Sequence, residues 1–183
     1  LYERITAQFA NSSRYDCPEI VFIKNYLQRG LPIKVCSEII TKLFRHYVPD
    51  SEEILVKELY INIPQLRCMA NNGMEIGGHG YTHGWLETLT RKEQEKEIRL
   101  TVSLLEKICG VRPIDWVMCY HHGSYNDTTI ELLKGTGCSL GLTIEKGLVA
   151  DMEEPMRLKR LDTNEIPFSK NKSICGWTKK TLE

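Results

Sequence analysis

Residues 74–83, Met74-Glu75-Ile76-Gly77-Gly78-His79-Gly80-Tyr81-Thr82-His83, read as a short buried strand that runs into glycines and then presents two histidines four residues apart. Gly77 and Gly78 stand where a backbone takes positive φ or comes close to a neighbour. A strand whose C-terminal end opens into a polar loop is the usual seat of a site in α/β proteins. Two neutral imidazoles from one loop make half of a zinc site, because zinc favours nitrogen and sulfur with some carboxylate oxygen. The H-x-x-x-H spacing alone is a weak signal, since ordinary surface or packed histidines also produce it.

Working outward, Thr90 followed by Glu93 is a capping-box pattern and predicts a helix over 91–108, with Ile98, Val102, Leu105 and Ile108 inward and Gly110 as its stop. Asp115–Tyr120 reads as a second buried strand running into another polar loop, His121-His122-Gly123-Ser124-Tyr125-Asn126. A helix over 127–134, a strand near 140–144 and a short strand at 158–161 follow. This strand–helix alternation calls for a largely parallel sheet with right-handed crossovers. Upstream, helical patterns lie over 18–28, from Pro32 (Val35, Ile39, Ile40, Leu43 and Phe44 on one face), after Asp50-Ser51-Glu52-Glu53, and after Pro64. An α/β domain rarely opens with so many helices, so strands preceding residue 1 are expected. The expected organisation is a helical segment over 1–73, an α/β core over 74–168 and a loose tail over 169–183.

The 183 residues suffice for one domain, or most of one, with a real core. The 24 basic and 24 acidic side chains balance, which argues against a nucleic-acid or anionic-membrane footprint. There is no apolar run of membrane-spanning length and no secretory signal. The chain begins with Leu1, so a fragment or processed form is expected. Seven cysteines (17, 36, 68, 109, 119, 138 and 175) without a C-x-x-C suit reduced thiols in a cytoplasmic protein. Missing strands would expose a sheet edge and invite self-association.

Three stretches together carry a family resemblance. Glu75–His83 resembles the second motif of the polysaccharide deacetylases of carbohydrate esterase family four, a strand ending in H-[ST]-x-x-H, with Gly80 where serine or threonine is usual. Tyr120-His121-His122-Gly123-Ser124-Tyr125-Asn126 resembles the third, R-x-P-[YF] followed by G-x-x-N. Arg160-Leu161-Asp162-Thr163-Asn164 resembles the arginine-bearing segment after a later strand. The resemblance spans roughly 62–167. It implies a partial, distorted (β/α) barrel and metal-dependent removal of N-acetyl groups from a sugar or cell-surface glycan. It further implies a divalent ion, zinc first, held by His79 and His83, an oxyanion near the His122 backbone N–H, and Arg160 orienting a catalytic carboxylate. His121 and His122 are loop residues on the plain reading. On the sharper one, His121 or His122 supplies an acid or completes the metal shell. Tyr81, Tyr120 and Tyr125 are candidates for a sugar subsite, and Trp85 for either the subsite or packing.

Departures accompany the resemblance. The first motif, a strand ending in two aspartates, has no counterpart, and Asp16, Asp50 and Asp115 are not placed to replace it. Cys119 and His121 stand where arginine and proline are usual, and a late Leu-x-His motif is not found. The expected function is therefore a deacetylase whose activity in this chain is low or nil. A degenerate carbohydrate-binding domain, or another metal hydrolase acting on a non-sugar amide, are the alternatives.

Overall fold

The structure is a computed structural model that describes residues 2–10, 16–149, 151–163, 169, 171, 176, 179 and 180. Most of the expected tail lies outside the described residues. The chain forms two units, residues 1–60 and 61–183.

The first unit is helical: α1 (Tyr2–Phe9), α2 (Pro18–Asn25), α3 (Ile33–Tyr47) and α4 (Glu52–Leu59), with a wide turn at Tyr26–Gly30 between α2 and α3. Pro18 opens α2 where a missing N–H costs nothing, and Ser51 caps α4 by accepting from Ile54 N–H. Phe9 and Phe22 pack on Tyr26, and the Asn25 side chain donates to the Phe9 carbonyl at 2.9 Å.

The second unit begins with α5 (Ile63–Asn71), so this helix groups with the core that follows and not with the upstream helices. The Arg67 guanidinium ties it to α6 (Arg91–Cys109) through the Lys107 carbonyl at 2.8 Å. Thr90 and Glu93 form the expected capping box, and Gly110 ends α6 in the left-handed conformation. β1 (Trp116–Cys119), α7 (Asp127–Lys134), β2 (Cys138–Lys146) and β3 (Leu158–Arg160) complete the unit. The strands make one sheet in the order β1-β2-β3, parallel throughout. Side chains alternate along β1: Trp116 and Met118 are buried, Val117 and Cys119 half-buried. Leu86, Ile98, Val102 and Leu105 join Trp116, Met118, Tyr120, Ile130, Leu133 and Met156 in the core.

The expected strand at 74–78 is reduced to a single parallel bridge, Gly78 against Met118. Met74 is 55% exposed and Glu75 also faces solvent, so little apolar burial holds a longer pairing. Gly78 N–H donates to the Val117 carbonyl at 2.8 Å, and Cys119 N–H to the Gly78 carbonyl at 2.9 Å. Glycine is required because a Cβ at 78 would lie 2.6 Å from Cζ3 of Trp116. Among the described residues the sheet consists of these three parallel strands and this bridge. Those residues include no helix long and apolar enough to cross a membrane, and their six cysteines are free thiols.

Leu133 on α7 is fully buried in this core. Leu133→Ala should destabilise the chain by about 2–5 kcal/mol, read as a lower denaturant midpoint at unchanged slope.

Candidate metal centre

The bridge at Gly78 delivers His79 to the C-terminal end of β1. There its ring is fixed by the strand it has just joined, with Nδ1 2.8 Å from the Cys119 carbonyl oxygen. A carbonyl only accepts, so Nδ1 carries the proton and Nε2 presents a lone pair. Gly80 (φ 79°) then reverses the chain, and His83 also adopts positive φ (60°). This brings His83 Nε2 to 3.2 Å from His79 Nε2.

The loop after β1 closes on the same place. His121 is fully buried, and its Nε2–H donates to the Gly84 carbonyl. Its Nδ1 has no hydrogen-bond partner. Burial, reinforced by the His83, His79 and His122 rings, pushes the His121 imidazole down to about 4. His122 (φ 55°) stacks its ring on Trp85 at 4.5 Å and lies 4.8 Å from the His83 ring. The rings of His79 and His121 are 5.8 Å apart, and those of His83 and His121 5.1 Å. Both histidine-bearing loops thus converge on one rim.

Arg160, at the end of β3, donates through Nε to the Thr143 carbonyl at 2.7 Å, and its Nη1 is 3.7 Å from Cys119 Sγ. The guanidinium therefore reaches the residue whose carbonyl holds His79. Asn164, from the same expected segment, lies outside the described residues. Tyr81 is 53% exposed beside the rim. Tyr125 is half-buried and stacks on Tyr120 at 4.4 Å. Tyr120 is a correction to the expected subsite. It is 1% exposed, and its hydroxyl donates to the Met156 carbonyl at 2.9 Å, so it belongs to the core and cannot meet a sugar. Burial raises its phenol well above the usual range. Asp115 immediately precedes β1, at the opposite end of the strand from the histidines.

One residue essential to this arrangement escaped the sequence reading. Glu97 on α6 accepts from Tyr81 N–H (3.2 Å), Thr82 N–H (2.9 Å) and the Thr82 hydroxyl (2.9 Å), between the two histidines. Its signal was a charged side chain at helical spacing with Gln94, Ile98, Thr101 and Val102 on the inward face. Ser124 was likewise overlooked. It is buried and accepts from Glu87 N–H at 3.0 Å.

Comparison with known proteins follows from this geometry. The sequence profile of the polysaccharide deacetylase family matches residues 43–141, more than half of the chain. YxkH of Bacillus subtilis (strain 168), named after the same family, is 29% identical over 83 residues, 45% of this chain and 29% of its own length. Among solved structures, the Streptococcus pyogenes deacetylase PplD, in complex with acetate, aligns with a TM-score of 0.51 at 24% identity, covering 58% of this chain and 48% of PplD. A polysaccharide deacetylase from Bacillus cereus gives 0.47 at 23% identity over 56% of this chain and 32% of its own. The chain thus spans less than half the length of these relatives, and the PplD likeness bears on the fold.

Gly80 tests how tightly the rim is built. A Cβ at 80 would lie 2.6 Å from His121 Cε1 and 2.7 Å from Nδ1. Gly80→Ala should cost roughly 1–3 kcal/mol from overpacking and about 1–2 more from the left-handed backbone. In a His121→Ala background only the second part should remain, measured by urea unfolding.

Proposed function

Because the chain belongs to the polysaccharide deacetylase family, we propose that it carries the nitrogen-donor half of a deacetylase metal site, acting on N-acetyl groups of a sugar or glycan through hydrolysis of the amide bond. The partial (β/α) barrel is part of the same reading, with the parallel strands supplying the rim on which the histidines sit. The observation that carries the proposal is the Nε2–Nε2 separation of 3.2 Å between His79 and His83. Two nitrogens held tetrahedrally by zinc at its usual bond length lie about 3.3 Å apart. The His79 Nδ1–H bond to Cys119 is the outer-shell contact that aims a ligand nitrogen.

The donors fit an ion such as zinc in kind and spacing, but they do not complete its shell. Among the described residues no three His, Cys, Asp or Glu side chains are grouped to hold a metal ion. His79 and His83 would hold the ion, and a carboxylate from outside the described set is required as the third ligand. When bound, such an ion supplies Lewis acidity toward an acyl oxygen and acidifies a bound water. The chain's own residues have narrower tasks. The Cys119 carbonyl orients His79, and buried His121 closes the rim from below. The backbone N–H of His122 is assigned to the developing oxyanion, and Arg160 to orienting a carboxylate. Tyr81 and Tyr125 are the aromatic candidates for a sugar subsite, with Trp85 beside them.

A second reading, a carbohydrate-binding domain without catalysis, draws on the absence of a third ligand among the described residues. Zinc or cobalt titration separates the two. On the metal-site reading the ion binds weakly, and His79→Gln or His83→Gln each abolishes binding. Binding that neither substitution changes would overturn the assignment. Acetate release from N-acetylglucosamine oligomers by these 183 residues is expected at background even with zinc. Chelator-sensitive turnover at about 1 per second or faster would show that no further ligand is needed.

A further inference from the structure

We propose that Glu97 is the positioning residue that sets the metal-binding geometry of the His79–His83 loop. The inference rests on the metal-site reading above. The loop has little packing to hold it, because His79, Tyr81, Thr82 and His83 are all exposed. It also contains two residues with positive φ, Gly80 and His83, and the second is unfavourable for a side-chain-bearing residue. Such a conformation persists only where surrounding contacts over-determine it.

Glu97 supplies those contacts from below. It sits on the middle of α6, 7% exposed, one turn after Gln94, whose side chain is held by the Leu89 carbonyl and the Thr129 hydroxyl. Thr101, one turn further, donates its hydroxyl to the Glu97 carbonyl. The carboxylate is therefore presented by a rigid, capped helix. Oε2 takes two consecutive amides, Tyr81 and Thr82, and Oε1 takes the Thr82 hydroxyl. These are charge-assisted hydrogen bonds at the two positions midway between the ligand histidines, where a shift is passed to both rings. One end of the loop is fixed by Gly78 on β1, and the other by the Gly84 carbonyl on His121. Glu97 holds the span between them.

The chemistry separates positioning from charge. In Glu97→Gln one oxygen still accepts both amides, and the amide nitrogen can donate to the Thr82 hydroxyl, so the loop geometry survives without the charge. Glu97→Ala removes every contact, and Glu97→Asp keeps the charge but retracts it by one methylene.

The test is zinc affinity by chelator competition, with thermal unfolding as a fold check and two-bond imidazole nitrogen–proton NMR of the metal-free chain. Glu97→Ala and Glu97→Asp should lose roughly 10–100-fold in zinc affinity, while Glu97→Gln stays within about 3-fold of the parent. In metal-free Glu97→Ala, His83 should lose the single Nε2–H tautomer that faces His79 Nε2. Folded Glu97→Ala with parent affinity overturns the proposal, and so does Glu97→Gln as weak as Glu97→Ala. Should Glu97→Ala not fold, parent-like affinity in Glu97→Asp overturns it. A parent chain that binds no zinc refutes the metal reading instead. The His83 tautomer then decides on Glu97, and an unchanged tautomer in Glu97→Asp counts against it.

Discussion

The peptide groups on either side of the Cys119 Cα are engaged from the same direction: the N–H by the Gly78 carbonyl, the C=O by the His79 ring. One residue of β1 thus fixes both the backbone of the crossing segment and the side chain that follows it. That double contact depends on how near the segment can come, and Trp116 sets the limit. Its indole N–H donates to the Thr136 carbonyl at 3.3 Å, and its ring is clamped in the core of α6 and α7. Only a residue without Cβ fits over it at position 78. The placement of the candidate ligand His79 is therefore inherited from the hydrophobic core through an aromatic ring and a glycine, with no long strand needed.

The rim gathers four imidazoles, with neighbouring rings 4.8–6.0 Å apart. Burial of His121 among the other three rings disfavours its charged form. The unpartnered Nδ1 of His121 is the polar cost of that burial. The Arg160 guanidinium is occupied with the Thr143 carbonyl and the Cys119 thiol. The resulting rim has imidazole nitrogens at its centre, with the Arg160 guanidinium beside Cys119.

What could be read from the chain followed from local signals with strong physics behind them. The Thr90/Glu93 capping box, the helical spacing through Ile98, Val102 and Leu105, and the Gly110 stop defined α6. The short strand over 74–78 was overread, because an apolar run into glycines does not reveal that Met74 and Glu75 face solvent. Tyr120 stands among the sugar-subsite candidates in the sequence reading. The two-residue alternation Trp116, Met118, Tyr120 would have placed it in the core. Glu97 was visible only as a charge on an apolar helical face. Its role needs the loop laid across it, which is a long-range fact.

The departures at positions 80 and 121 invite a reading as decay, yet the structure ties them together. The His121 ring fills the space that a Cβ at position 80 would need, and it anchors the Gly84 carbonyl at the end of the same loop. Glycine at 80 and histidine at 121 are thus sterically coupled. Tyr81, Thr82 and His83 bury little, and His83 carries backbone strain, so packing alone would leave the loop loose. Instead the loop is secured at Cys119, Glu97 and His121, and the two Nε2 atoms stay at 3.2 Å. Two imidazoles at that distance must share a proton or a cation, because two bare lone pairs would repel. The same spacing is the one the proposed ion would need, with the oxygen ligand as the component the described residues do not themselves provide.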